Sequence, residues 1–257
     1  MLPDPGFYLI AVPAVMLVGL SKGGMGEALS LMGVPILSLV VSPVEAAALL
    51  LPILVVMDIV SLTIWRQHGD ARTLKMLLPG AMLGIGIGWA TAAYVPRDAL
   101  RLIIGLITVL FVLRYAVLRL RARRGAAAPA PRGQRPAAAT LFGGFAGYSS
   151  FVAHAGGPPF QIYALPLQLP PRELTGTSVR FFAILNAVKL VPYFALGQLD
   201  LANLGTSLTL VPVAILATIA GGFVVRRMRP DIFYPFMYAM AFAAGVKLLL
   251  DGLAALA

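Results

Sequence analysis

The sequence contains no cysteine. That excludes disulfides, thiolate metal sites, iron–sulfur clusters and a cysteine nucleophile. Charge is scarce: 12% of the 257 residues are Asp, Glu, Lys or Arg, where a soluble domain carries about a quarter. Histidine is nearly absent, with His68 and His154 the only two. No histidine pair at metal-ligand spacing, no paired carboxylates, no G-x-S-x-G turn and no nucleotide-binding loop occurs. An enzyme has little to work with, and no metal or cofactor is expected. The amino end lacks a basic segment before its first apolar run, so a cleaved signal peptide is not expected.

What is present is apolar. Hydrophobic residues make up 60% of the chain and the mean hydropathy is +0.90. The expectation is an all-α polytopic membrane protein. About 20 apolar residues span a bilayer, and by that rule eight spanning elements are predicted. They lie near 7–41, 44–65, 73–94, 98–119, 138–166, 173–195, 202–225 and 231–254. The first and fifth are broken.

The formal charge of +10 comes largely from one place. Arg114, Arg119, Arg121, Arg123, Arg124, Arg132 and Arg135 surround a Pro/Ala-rich linker. Arginines beside a membrane set topology and contact anionic headgroups, so no nucleic-acid partner is expected. With eight crossings, Arg66, Arg72, Lys75 and the linker arginines share one face. Arg97, Arg101, Arg172, Arg226, Arg227 and Arg229 share the other. The first cluster is larger, which places the linker and termini in the cytoplasm.

The halves echo each other, giving a first repeat at 1–120, a basic linker at 121–137 and a second repeat at 138–257. Pro43-Val44-Glu45 parallels Pro171-Arg172-Glu173, Asp58 parallels Asn186, Pro79 parallels Pro212 and Gly88 parallels Gly221. The repeats are parallel if 7–41 crosses once, and inverted if it crosses twice or enters and returns. As one helix it would measure roughly 50 Å, so a bend or re-entry is expected.

The two breaks are the functional signal. One reads Gly19-Leu20-Ser21-Lys22-Gly23-Gly24-Met25-Gly26-Glu27. The other reads Ser149-Ser150-Phe151-Val152-Ala153-His154-Ala155-Gly156-Gly157-Pro158-Pro159. A break frees backbone groups that hydrocarbon cannot satisfy, and paired breaks at matching positions mark transporter binding sites. Lys22 either meets an anion beside freed amides or extends to the interface. His154 either contacts substrate or a proton or patches the break. Gln161 either binds or joins helices. Asp58, Asn186 and Lys189 lie at membrane depth, where ionisable groups are functional by default. Their structural alternative is a buried ion pair, such as Asp58 with Lys189. Glu27 and Arg180 are each expected to sit in an internal salt bridge; if they pair with each other, Lys22 and Lys189 are left to the substrate. Gly84, Gly86 and Gly88 form a small-residue helix face, not a dinucleotide loop.

These motifs resemble the TauE/SafE family of sulfite exporter-like membrane permeases over nearly the whole chain, Gly19 to Gly252. The resemblance rests on Gly19-Leu20-Ser21-Lys22-Gly23-Gly24, Leu51-Pro52-Ile53 with Met57-Asp58, and Leu78-Pro79-Gly80. It continues through His154-Ala155-Gly156-Gly157-Pro158-Pro159-Phe160-Gln161, Val188-Lys189-Leu190-Val191-Pro192-Tyr193-Phe194 and Gly197-Gln198. It implies transport of small anions such as sulfite and organosulfonates across a bacterial inner membrane. Met25, Glu27 and Arg180 depart from the family pattern near the expected site.

The expected function is therefore a secondary transporter for a small sulfur-containing anion, working by alternating access. The expected substrate contacts are Ser21, Lys22, Gly23, Gly24, His154, Gly156, Gly157, Gln161, Asn186 and Lys189. Glu27, Asp58 and His154 are the candidate proton carriers. The alternatives are an anion channel and a non-transporting scaffold or accessory subunit. Either a monomer or a homodimer fits the sequence.

Overall fold

A computed structural model describes residues 5–26, 28–91, 94–124, 130–195 and 204–255. Glu27, the Gly197-Gln198 pair and linker residues 125–129 lie outside them. Among the described residues the chain is helical, with no strand. In order the helices are α1 (Pro5–Leu20), a π-helical turn (Ser21–Met25), a 3-10 turn (Ser30–Met32) and α2 (Gly33–Leu37). Next come α3 (Pro43–Ile64), α4 (Ala71–Thr91) and α5 (Arg97–Arg123). The second half holds α6 (Pro136–Ala153), α7 (Gly157–Ala164), a 3-10 turn (Leu165–Leu167), α8 (Pro171–Ala195), α9 (Leu204–Arg227) and α10 (Pro230–Ala254).

Among the described residues, six stretches are long and apolar enough to cross a bilayer: Gly6–Met25, Ala71–Thr91, Asp98–Ala122, Pro171–Val191, Gly205–Arg227 and Pro230–Ala254. The other two expected elements are α3, whose apolar stretch Leu49–Ile64 is shorter, and the broken α6–α7. Both expected interruptions are present. After its π turn the first element continues only as α2, five residues long. At 1.5 Å per residue that is roughly 7 Å, too little to cross about 30 Å of hydrocarbon. The 7–41 segment therefore has one full-length helix, followed by a short one.

The chain forms two compact units. One contains Met1–Gly69 and Thr175–Met228, the other Asp70–Leu174 and Arg229–Ala257. Each draws helices from both halves of the sequence.

In the first unit α9 packs along α1 and α3. Its core includes Val15, Val18, Leu37, Ile53, Met57 and Leu210. Small residues set the spacing. A Cβ on Gly19 would lie 2.6 Å from the Ala217 Cβ, and one on Gly23 would overlap the Thr218 carbonyl.

In the second unit the dominant contact is α4 against α6, with α5 against α10 next. A Cβ on Gly80 would overlap the Thr140 carbonyl, and one on Gly84 the Gly144 carbonyl. Gly88 faces Phe151, whereas Gly86 has nothing within 4 Å. Gly86 is thus not part of the small-residue face: two residues from Gly84, it is turned 200° around the helix. Asp70 caps α4 by accepting from the Thr73 amide at 3.0 Å, the Arg72 amide at 3.3 Å, the Thr73 hydroxyl and the Gln134 amide at 2.6 Å. Burial alone would raise its pKa, but these hydrogen bonds outweigh burial and hold the carboxyl below its ordinary value.

Candidate functional site

The first break is a π turn because its backbone has other partners than the regular helical ones. Gly24 adopts φ +123° and Gly26 φ +96°, a region open to glycine at little cost. The carbonyls displaced there are taken by side chains. Ser21 Oγ donates to the Gly26 carbonyl at 2.8 Å. Ser61 Oγ donates to the Lys22 carbonyl at 2.8 Å, and Trp65 Nε1 to the Gly23 carbonyl at 3.0 Å. A buried carbonyl without a donor is costly, so these three bonds allow a break inside an apolar segment. Such π turns concentrate at functional sites.

Asp58 and Ser61 on α3 and Trp65, which caps its carboxyl end, stand at i, i+3 and i+7, so all three lie on one side of the helix. That face closes on the π turn. Lys22 Nζ lies 2.7 Å from Asp58 Oδ1, with side chains only 10% and 11% exposed. Asn186 on α8 donates from Nδ2 to Asp58 Oδ2 at 2.6 Å. Both oxygens of the carboxylate are thus engaged, by a cation and by an amide. Lys22, Asp58 and Asn186 are brought together within one compact unit.

Asp58 forms an ion pair with Lys22. Lys189 is buried on α8, three residues beyond Asn186. Glu27 lies outside the described residues, and Arg180 bonds to backbone carbonyls. Its guanidinium donates to the Arg66 carbonyl at 2.6 Å and to the Gly176 carbonyl at 3.3 Å. Arg226 donates to the Ile64 carbonyl and lies over the Trp65 ring, 5.3 Å from its centroid. Two arginines therefore cover the carboxyl end of α3, where helix carbonyls lack intrahelical donors and the dipole favours cations. Ser61, Trp65 and Arg226 were not anticipated as site residues. The i, i+3, i+7 spacing with Asp58 was the available signal.

The second break lies in the other unit and is built differently. α6 ends at Ala153, and His154 turns the chain with φ 52°. Ser149 closes the turn. Its carbonyl accepts from the His154 amide and, at 3.0 Å, from the Ala155 amide. Its hydroxyl lies 2.6 Å from the Phe145 carbonyl and 3.0 Å from that of Ala155. α7 begins at Gly157. Pro158 and Pro159 have no N–H, and the Phe160 amide donates to Gly156. The amides this end can present to a ligand are those of Gly156 and Gly157. Gln161 is 3% exposed, and its Oε1 has no hydrogen-bond partner among the described residues. A buried acceptor of this kind calls for a donor.

His154 itself is exposed. A left-handed conformation disfavours non-glycine residues, so His154→Gly is expected to unfold at the same temperature as wild type or higher, gaining up to about 1 kcal/mol. His154→Val, β-branched, is expected to unfold at a lower temperature. Thermal unfolding of both variants in detergent checks this. A glycine variant less stable than wild type would contradict it.

Residues 11–248 match the family described as Sulfite exporter TauE/SafE. A protein of Cupriavidus necator named "Probable sulfite/organosulfonate exporter TauE" is 30% identical over 168 residues. That alignment covers 64% of this chain and 60% of the relative, so the chain spans less than two thirds of the relative's length. No solved structure matches the chain.

Proposed function

The chain belongs to the TauE/SafE family of membrane transporters, and on that premise we propose that it moves a small sulfur-containing anion, sulfite or an organosulfonate, as a secondary transporter. The observation that carries this reading is the buried Lys22 at the π turn, 2.7 Å from Asp58. An intramembrane lysine is costly unless it faces a cavity or a partner. As a neutral pair with Asp58 it is tolerable in the empty protein. An incoming anion then competes with Asp58 for the ammonium, and Asn186 holds the carboxylate as the lysine turns.

Ser21 and the Gly23 and Gly24 amides complete the contact on this side. His154, Gly156, Gly157, Gln161 and Lys189 are proposed as further substrate contacts. Asp58, His154 and Glu27 are the proposed proton carriers. Alternating access is the proposed mode of transport. The location is the bacterial inner membrane, with the linker on the cytoplasmic side.

Thermal unfolding of the purified protein against a panel of anions tests the reading. A ligand that binds only the folded state raises the unfolding temperature by mass action. Sulfite or an organosulfonate is expected to raise it, and carboxylate analogues are not. Equal shifts for every anion, or shifts unchanged in Lys22→Ala, would count against a selective site at Lys22.

A further inference from the structure

No aspartate or glutamate stands between Asp98 and Glu173, while Arg114, Arg119, Arg121, Arg124, Arg132 and Arg135 fall in that interval. Most of these sit at the carboxyl end of α5 or just beyond it. α5 has 27 residues, about 40 Å, which exceeds a bilayer core by roughly 10 Å. It runs antiparallel to α10: Gly105 meets Gly245, and Tyr115 meets Tyr238. By the Tyr115–Tyr238 register the last residues of α5 lie level with the start of α10.

One place in this basic region is organised. The Tyr115 and Tyr238 rings are stacked, with centroids 3.4 Å apart and planes 5° from parallel. Arg119 donates from Nε to the Tyr115 hydroxyl at 2.9 Å and lies 5.7 Å from the ring centroid. Its terminal nitrogens have no hydrogen bond among the described residues. Arg132 is fixed through its backbone, donating to the Pro166 carbonyl at 2.9 Å. Both guanidinium groups are near enough to the Tyr238 hydroxyl to act on it electrostatically.

Nearby acids are already engaged. Asp231 lies 3.2 Å from Arg229, and Asp70 is held by Thr73 and Gln134. Beside these cations α5 exposes Leu113, Val117 and Leu120. A guanidinium held on a tyrosine hydroxyl next to exposed apolar side chains matches an amphiphile with an anionic head. A phosphate suits paired arginines because their N–H groups fit its oxygens.

We propose that Arg119 and Arg132, above the Tyr115–Tyr238 stack, bind the phosphate of an anionic phospholipid whose acyl chains lie on the exposed end of α5. The experiment is native mass spectrometry of the full-length protein titrated with phosphatidylglycerol or phosphatidylcholine. Phosphatidylglycerol is expected to bind roughly tenfold more tightly. Arg119→Gln with Arg132→Gln removes most of that preference. Tyr115→Phe keeps the ring, drops the bond that orients Arg119, and loses a smaller part. Arg121→Gln with Arg124→Gln retains the preference. Equal binding of the two lipids to wild type overturns the proposal. So does a preference that survives loss of Arg119 and Arg132, or an equal loss in the Arg121/Arg124 variant, which would mean diffuse attraction. Inorganic phosphate that competes as well as phosphatidylglycerol would overturn the assignment to a lipid.

Discussion

Lys22→Ala is expected to abolish anion transport and to destabilise the protein by roughly 3–5 kcal/mol, the cost of leaving a buried carboxylate without its cation. The two effects need separating, because a collapsed protein transports nothing. The geometry supplies the means. Asp58 accepts from Lys22 and Asn186 at 2.7 and 2.6 Å, so it is the carboxylate that suffers when the ammonium goes. Removing both charges, as Lys22→Met with Asp58→Leu, replaces a buried ion pair by apolar groups of similar volume. Such replacements are often neutral or stabilising. The double variant is therefore expected to recover most of the lost stability and none of the transport. Thermal unfolding and flux measured on both variants give the two readouts. Transport restored in the double variant would mean that Lys22 serves only to neutralise Asp58. A positive coupling energy between the sites would confirm that the pair acts as a unit.

The second large effect concerns packing within the second unit. Gly84→Leu pushes a side chain into the backbone of α6, since even a Cβ there overlaps the Gly144 carbonyl. Helices in hydrocarbon associate through close packing of small residues, and α4 against α6 is the main contact of the second unit. The cost is expected to exceed the usual 1–3 kcal/mol of overpacking, because carbonyl and backbone must yield rather than a side chain. Loss of folded, monodisperse protein in size-exclusion chromatography is the expected outcome. Gly86→Ala, two residues away with open space around it, is expected to be neutral or to stabilise by up to about 1 kcal/mol. Similar behaviour of the two variants would contradict the packing described.

The breaks, their residues and the helical class were legible because each has a local cause. Glycine and proline interrupt a helix wherever they stand, and an ionisable residue in apolar surroundings announces itself. The extents of α4, α9 and α10 follow the hydrophobic runs for the same reason. What was not legible depends on which helix faces meet. Asp58 could be seen as needing a partner, but that Lys22 supplies one follows from the packing of α3 against the π turn. Arg180 stood out as a deep charge, and its attachment to the Arg66 carbonyl required the end of α3 to lie beside α8. Gly86 shares the spacing of Gly84 and Gly88 in sequence, yet helical rotation turns it away. The assembly of each compact unit from both halves is likewise a matter of contacts between distant segments. Ser61 and Trp65 were unremarked because a serine and a tryptophan in a membrane helix usually pack or bond without further consequence. Here their register with Asp58 makes them clamps on the break.

The most direct test of the central claim is sulfite flux in liposomes containing wild type or Lys22→Met with Asp58→Leu, the variant expected to stay folded. Saturable flux in wild type, and none in the variant at equal folded protein, is the predicted result. Equal flux in the two would contradict the assignment of Lys22 as the anion contact.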